Sequence, residues 1–162
     1  MTSETNNPLA VEFCGMHFQT PLVLLSGCVG FGEEYTRVEG YSNADVGAVC
    51  LKGTTGEKRL GNAPHRIYET PAGMLNAIGL ENVGLDRYVE EKLPLLKKRN
   101  VDVIVSVAAE TEDEFVRLAE TFAPLDGYAG LELNLSCPNI DEQALDHGRN
   151  PAFVEKITRI VK

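Results

Sequence analysis

Between Tyr128 and Leu135 the apolar side chains fall at Ala129, Leu131, Leu133 and Leu135, the period of two that marks one face of a β-strand. Pro138 cannot donate to a sheet ladder, so the strand ends near Ser136 and opens onto Ser136-Cys137-Pro138-Asn139. A thiol on a strand-end loop, flanked by two amides, is a reactive arrangement. Asn134 and Asn139 each offer a donor pair and an acceptor, which suits a small, flat, polar substrate. The thiolate of Cys137 could serve as nucleophile or as general base. The plain alternative is a buried, inert cysteine beside a turn. Asn134, Ser136 and Asn139 weigh against it, because an apolar pocket would leave three polar side chains without partners.

The same pattern of apolar strand and polar ending occurs earlier. Pro21 opens Leu22-Val23-Leu24-Leu25, a continuous apolar run of the kind shown by a strand buried on both faces. It stops at Ser26-Gly27-Cys28-Val29-Gly30-Phe31-Gly32, whose glycine spacing does not match G-x-G-x-x-G and reads otherwise as a flexible turn. Gly47-Ala48-Val49-Cys50-Leu51 is a second buried strand and ends in Lys52-Gly53-Thr54-Thr55. A lysine closing a buried strand is costly unless it snorkels or meets an anion. Its bland reading is a solvated strand end.

Val101 to Val107 is a third strand, and Ala10 to Thr20 reads as a β-hairpin around Cys14-Gly15. Helices are expected over Glu34 to Asp45, from Leu85 to about Arg99 with a kink at Pro94, from the capping box Thr111-Glu112-Asp113-Glu114, and from Asn150-Pro151. Their inward faces carry Leu85, Tyr88, Val89, Leu93 and Leu96; then Phe115, Leu118, Ala119 and Phe122; then Phe153, Val154, Ile157, Ile160 and Val161. Between Gly53 and Gly84 there is little periodicity. Structureless loops beyond about 15 residues are usually functional or disordered, and this one holds too many apolar residues for disorder.

Strand, loop and helix alternate, which argues for a parallel sheet with helices outside. The polar, glycine-rich segments follow the strands, as they do in (β/α) barrels and in open α/β folds alike. At 162 residues and 43% hydrophobic content the chain has a one-domain length and enough apolar surface for a core. Fifteen basic against twenty-four acidic residues give a net charge of -9, which repels nucleic acid and anionic lipid. The N-terminus has no signal-peptide pattern and no run is long enough to span a membrane, so a cytoplasmic location is the default. The four cysteines, at 14, 28, 50 and 137, form no C-x-x-C, and the histidines at 17, 65 and 147 lie far from them in sequence. Reduced thiols and no metal site are expected.

Asn-Leu-Ser-Cys-Pro-Asn at 134 to 139 resembles the active-site motif of the class 1 dihydroorotate dehydrogenases, FMN-containing barrel enzymes of pyrimidine synthesis. Asn76-Ala77-Ile78-Gly79-Leu80 resembles the substrate-binding segment of their NAD-linked (1B-like) subgroup, and the likeness extends from about Leu9 to Lys162. The resemblance implies a (β/α)8 TIM barrel of which this chain covers about the first four βα units after an N-terminal hairpin. It implies that Cys137 is the base that takes a proton from dihydroorotate while hydride passes to FMN. Substrate would be held by Lys52, Asn76, Ala77, Ile78, Gly79, Leu80, Asn134 and Asn139. Flavin would be contacted by Ser26, Gly27, Lys52, Gly53, Ser106 and Asn134, with the missing Cβ of Gly27 admitting a flat ring. Lys52 would stabilise the reduced flavin.

The resemblance further implies a partner subunit carrying FAD and a 2Fe-2S cluster that passes electrons to NAD, and a homodimer within a heterotetramer. Three details depart from the family: Ile140-Asp141-Glu142-Gln143-Ala144 stands where a pair of glycines is expected, Ser106 where an asparagine is, and His65 where a proline precedes Arg66. A barrel of this type typically takes about 250 residues, so residues 1–162 read as the N-terminal half of one FMN-binding domain. Expressed alone, such a half is expected to hold FMN poorly and to self-associate through its unpaired Leu22 and Leu131 strands. Two alternatives stand beside the enzyme: a non-catalytic half-barrel fragment, and a related flavin barrel acting on another pyrimidine.

Overall fold

The computed structural model describes residues 7–96, 101–137 and 147–162. The hairpin expected near the N-terminus forms from β1 (Val11–Phe13) and β2 (Met16–Phe18), antiparallel about Cys14-Gly15. Phe18 is buried, and a side chain at Gly47 would run into it, so the hairpin seats against the start of the second parallel strand. Four parallel strands follow in one sheet: β3 (Val23–Leu24), β4 (Ala48–Cys50), β7 (Asp102–Ala108) and β8 (Gly130–Asn134), arranged in chain order. The register places Val49 beside Leu24 and Val103, and Ser106 beside Glu132. Between β4 and β7 lies a second hairpin, β5 (Ile67–Thr70) with β6 (Gly73–Asn76).

Side chains alternate across a strand, and here the alternation separates a greasy face from a polar one. Val49, Leu51, Val103, Val105 and Val107 pack outward against helices, joined by half-buried Leu131 and Leu133. The helical run 85–96 consists of α1 (Leu85–Arg87), a π-helical turn over Tyr88–Lys92 and α2 (Leu93–Leu96). The widened turn immediately precedes Pro94, which has no N–H and would clash with the Glu90 carbonyl in a regular α-helix. Helix α3 (Glu112–Phe122) starts at the expected box: Thr111 Oγ1 accepts from the Glu114 N–H at 3.3 Å, and the Glu114 carboxylate accepts from the Thr111 N–H at 3.2 Å. Its Phe115, Leu118, Ala119 and Phe122 are buried as the spacing predicts. Helix α4 (Pro151–Val161) is capped by Asn150 Oδ1, which accepts from the N–H groups of Ala152 and Phe153.

Several expectations need correction. No helix spans Glu34 to Asp45; only 3-10 turns at Tyr35–Arg37 and Asn43–Asp45 form. Ser42 starts its own capping box there, accepting from Ala44 and donating its N–H to Asp45, so the second turn begins afresh. The run Leu22 to Leu25 is not buried on both faces: Val23 and Leu24 of β3 are half-buried, while Leu22 and Leu25 flanking them point to opposite faces and are 60% and 63% exposed, since neither face is fully covered there. Ile160 points outward, since the inward stripe of α4 runs through Phe153, Ile157 and Val161 at intervals of four. The hairpin β5–β6 was not expected at all. Its residues are nearly all exposed, so no alternation of burial marks it in the sequence.

Among the described residues no helix is long and apolar enough to cross a membrane. Tyr88 and Phe122 meet edge-on at 5.6 Å in the centre of the core, and the buried Tyr88 hydroxyl has no partner among the described residues. Phe122→Ala is expected to lower stability by about 3–5 kcal/mol in urea unfolding. Tyr88→Phe should leave the midpoint unchanged or raise it, because it removes an unpaired buried polar group while keeping the ring. A marked loss on Tyr88→Phe would contradict this account of the core.

Candidate functional site

A parallel sheet brings the C-terminal ends of its strands to one side, and the polar endings meet there. Ser26 and Gly27 follow β3, Lys52 and Gly53 follow β4, Asn134 closes β8, and Cys137 stands three residues on. Together with Cys28, Asn76, Ile78, Leu80 and Ser136 they line one pocket of about 340 Å³. Residues that are as much as 111 positions apart thus share a single cavity.

Each wall has a physical support. The Lys52 N–H donates to the Gly30 carbonyl at 2.7 Å, which fixes the lysine at the strand end. Its ammonium has no side-chain partner among the described residues, leaving a positive charge available to the pocket. Gly53 forms a tight floor: a Cβ there would lie 3.2 Å from Leu80 Cδ1 and 3.6 Å from both the Asn134 amide nitrogen and the Ser106 hydroxyl. The amide of Asn134 is turned in part by the Ser136 N–H, which donates to its Oδ1 at 3.4 Å.

The segment from Asn76 to Leu80 is clamped from behind. The Ala77 N–H donates to the Arg66 carbonyl at 2.8 Å, Asn62 Nδ2 donates to the Ala77 carbonyl at 2.9 Å, and the Asn62 N–H donates to the Ile78 carbonyl at 3.0 Å. Asn82, buried, donates to the Leu80 carbonyl at 2.9 Å and accepts from the N–H groups of Thr55 and Gly84. The result presents Asn76, Ile78 and Leu80 to the pocket, whereas Ala77 and Gly79 face the clamp.

Two other predicted residues stand apart. Ser106 is fully buried beneath the pocket, hydrogen-bonded to Glu132 at 2.7 Å, and does not line the cavity. Asn139 lies outside the described residues. Sequence reasoning missed Glu132 and Asn82 as parts of the site. A signal for the first was present, since a charged residue between Leu131 and Leu133 must sit on the polar face shared with Asn134.

A second cavity of about 240 Å³ adjoins the first and is walled from it by Leu80, Asn134 and Cys137, which line both. Glu57, Arg59, Glu110, Glu114 and His147 supply its charged and polar edge. Arg59 is paired with Glu110 at 2.8 Å, and the His147 ring stacks on Phe153 at 4.2 Å. Cys137 is therefore reachable from two sides. Among the described residues no cluster of His, Cys, Asp or Glu is arranged to hold a metal ion.

A family model described as dihydroorotate dehydrogenase matches residues 8–162. The catalytic subunit of dihydroorotate dehydrogenase B (NAD(+)) from Bacillus caldolyticus is 44% identical over 156 residues, and that from Enterococcus faecalis is 41% identical over 157. These matches take in 96% of this chain but 49% and 50% of those proteins, so the chain spans about half the length of the curated relatives it matches. A crystal structure of the Eimeria tenella dihydroorotate dehydrogenase, in complex with ferulenol, superposes with a TM-score of 0.71 at 21% identity, covering 99% of this chain and 45% of that one. That likeness shows the shared fold, and the four parallel strands correspond to half of a (β/α) barrel.

The site distinguishes its cysteines. Cys14 and Cys28 are exposed, Cys137 is half-buried in the pocket wall, and Cys50 is buried. Burial foremost, and then the charge and hydrogen bond of Glu132, push the Cys50 thiol up to about 12. Alkylation needs both access and a thiolate, so iodoacetamide at about pH 8 should modify the accessible Cys14, Cys28 and Cys137 in the native protein and spare the buried, protonated Cys50 until it is unfolded. Peptide mass spectrometry reads this directly. Native labelling of Cys50 at the rate of Cys137 would overturn it.

Proposed function

Because the chain belongs to the dihydroorotate dehydrogenase family, we propose that it contributes the catalytic pocket for oxidation of dihydroorotate to orotate in pyrimidine biosynthesis, with residues 1–162 forming the N-terminal half of one flavin-binding barrel domain. The observation that carries this reading is the single pocket in which Cys137 meets Ser26, Gly27, Lys52, Gly53, Asn76, Ile78, Leu80 and Asn134. The family is flavin-dependent, and the cofactor proposed here is FMN. The residues present fit such a group: a Cβ at Gly53 would press on Leu80 Cδ1 at 3.2 Å, and Lys52 brings beside it a cation with no side-chain partner among the described residues. When bound, the flavin supplies a two-electron acceptor for hydride.

The chain's own residues do the rest. Asn134 and Asn76 offer amide donors and acceptors to the flat, polar substrate and fix its orientation, with Asn139 proposed to join them. Cys137, as thiolate, takes the proton from the ring carbon next to the carbonyl. Hydride leaves the neighbouring carbon, and the electron pair left by the proton closes the double bond of orotate. Lys52 places a positive charge where negative charge accumulates during the transfer. Leu80 and the Asn82 clamp keep the wall rigid, so the reacting atoms stay in register.

The relatives are named as catalytic subunits of an NAD(+) enzyme, which supports a separate electron-transfer subunit. We place FAD and a 2Fe-2S cluster on that subunit, none on this chain, and the assembly, a homodimer within a heterotetramer, in the cytoplasm.

In the flavin-loaded holoenzyme, Cys137→Ala should keep its bound FMN and lose a factor of about 100 to 10,000 in dihydroorotate oxidation. Turnover within about twofold of the parent would remove Cys137 from the role of base. Lys52→Ala should weaken flavin binding or slow its reduction by dihydroorotate. Unchanged FMN content with unchanged reduction would rule out the part given to Lys52.

A further inference from the structure

Glu132 occupies the middle of β8, between two leucines that pack on the helical side. Its own side chain turns to the opposite face, the face that carries Asn134 two residues later. One oxygen, Oε1, accepts from the Ser26 hydroxyl at 2.8 Å and from the Ser106 hydroxyl at 2.7 Å. Cys50, on β4, borders the same carboxylate, which helps to hold its proton in place. The loop after β3 and strands β4 and β7 are thus tied to β8 by a single side chain just beneath the pocket. No cation pairs with Glu132 among the described residues, so these hydrogen bonds are what offset the cost of half-burying its charge.

The consequence falls on Ser26, which does line the pocket. A serine hydroxyl has one proton to donate. With that proton committed to Glu132, Ser26 faces the pocket as an acceptor only, with its position set by an anchor 106 residues away in sequence. We propose, resting on the flavin reading above, that Glu132 is a positioning residue: it holds Ser26 as an acceptor toward an N–H of the flavin ring and places a negative charge below that ring. Ser106 completes the anchor by fixing the rotamer of the carboxylate.

The test uses the flavin-loaded holoenzyme and reads FMN dissociation and the flavin midpoint potential, neither of which needs turnover. Glu132→Ala and Ser26→Ala should each weaken FMN binding by about tenfold, the upper end for loss of one neutral hydrogen bond, since either change removes the fixed acceptor. The double variant should be no weaker than the singles, because both remove the same contact. Glu132→Gln keeps an acceptor oxygen and the shape of the side chain, so it guards against a folding failure of the alanine variant. It should retain affinity within about threefold and shift the potential to more positive values, since a carboxylate under the ring disfavours added electrons. Additive losses in the double variant, or a Glu132→Gln potential equal to that of the parent, would overturn the proposal. A parent with both barrel halves present that takes up no FMN would sink the flavin reading and this inference together, whereas a flavin-bound parent with unaffected variants sinks this inference alone.

Discussion

Parallel pairing is the constraint on which the rest of this molecule depends. Strands that run the same way leave all their C-terminal ends on one side, and each must be followed by a return path long enough to reach the start of the next. Helices supply those returns, and they need an apolar surface to rest on. The outward faces of β4, β7 and β8 provide it through valines and leucines, which frees the opposite face for Cys50, Ser106, Glu132 and Asn134. One alternation therefore serves both packing and chemistry. A slip of one residue in β8 would carry Asn134 into the helical layer and a leucine into the pocket.

The site combines residues under different physical demands. Lys52 and Asn134 end strands and inherit their rigidity, while Asn76, Ile78 and Leu80 belong to an extended segment that must be held from outside. Asn62 and Asn82 do that holding with side-chain amides that donate to the Ala77 and Leu80 carbonyls, and Arg66 with its backbone carbonyl, so the identity of the two asparagines matters for shape although none of the three lines the cavity. Glu132 plays the corresponding part below. Its carboxylate would be costly on that face without the two serines, and the serines would be free to turn without it.

Much of the fold was legible because hydrophobic period is a local property. The strands around Val23, Val49, Val105 and Leu133, the capping box at Thr111 and the inward stripe of α3 follow from spacing alone. Expectations failed where a local polar turn or an exposed surface, neither of which apolar spacing records, decided the structure. The Glu34 to Asp45 stretch has residues that a helix tolerates, yet Ser42 and Asp45 satisfy each other in a short turn instead. The hairpin β5–β6 stands out from the body, so its exposed apolar residues carried no readable pattern.

The sequence by itself determined the four parallel strands, helices α3 and α4, the side on which strands end, and the reactive set Asn134, Ser136 and Cys137, because these depend on neighbours within a few residues. Only the tertiary structure decided that Ser26, Lys52, Asn76 and Asn134 share one cavity, that Ala77 and Gly79 turn away from it, and that Ser106 lies below it in the grip of Glu132. Those outcomes rest on strand register and on hydrogen bonds across as many as 106 residues, distances over which no local periodicity carries information.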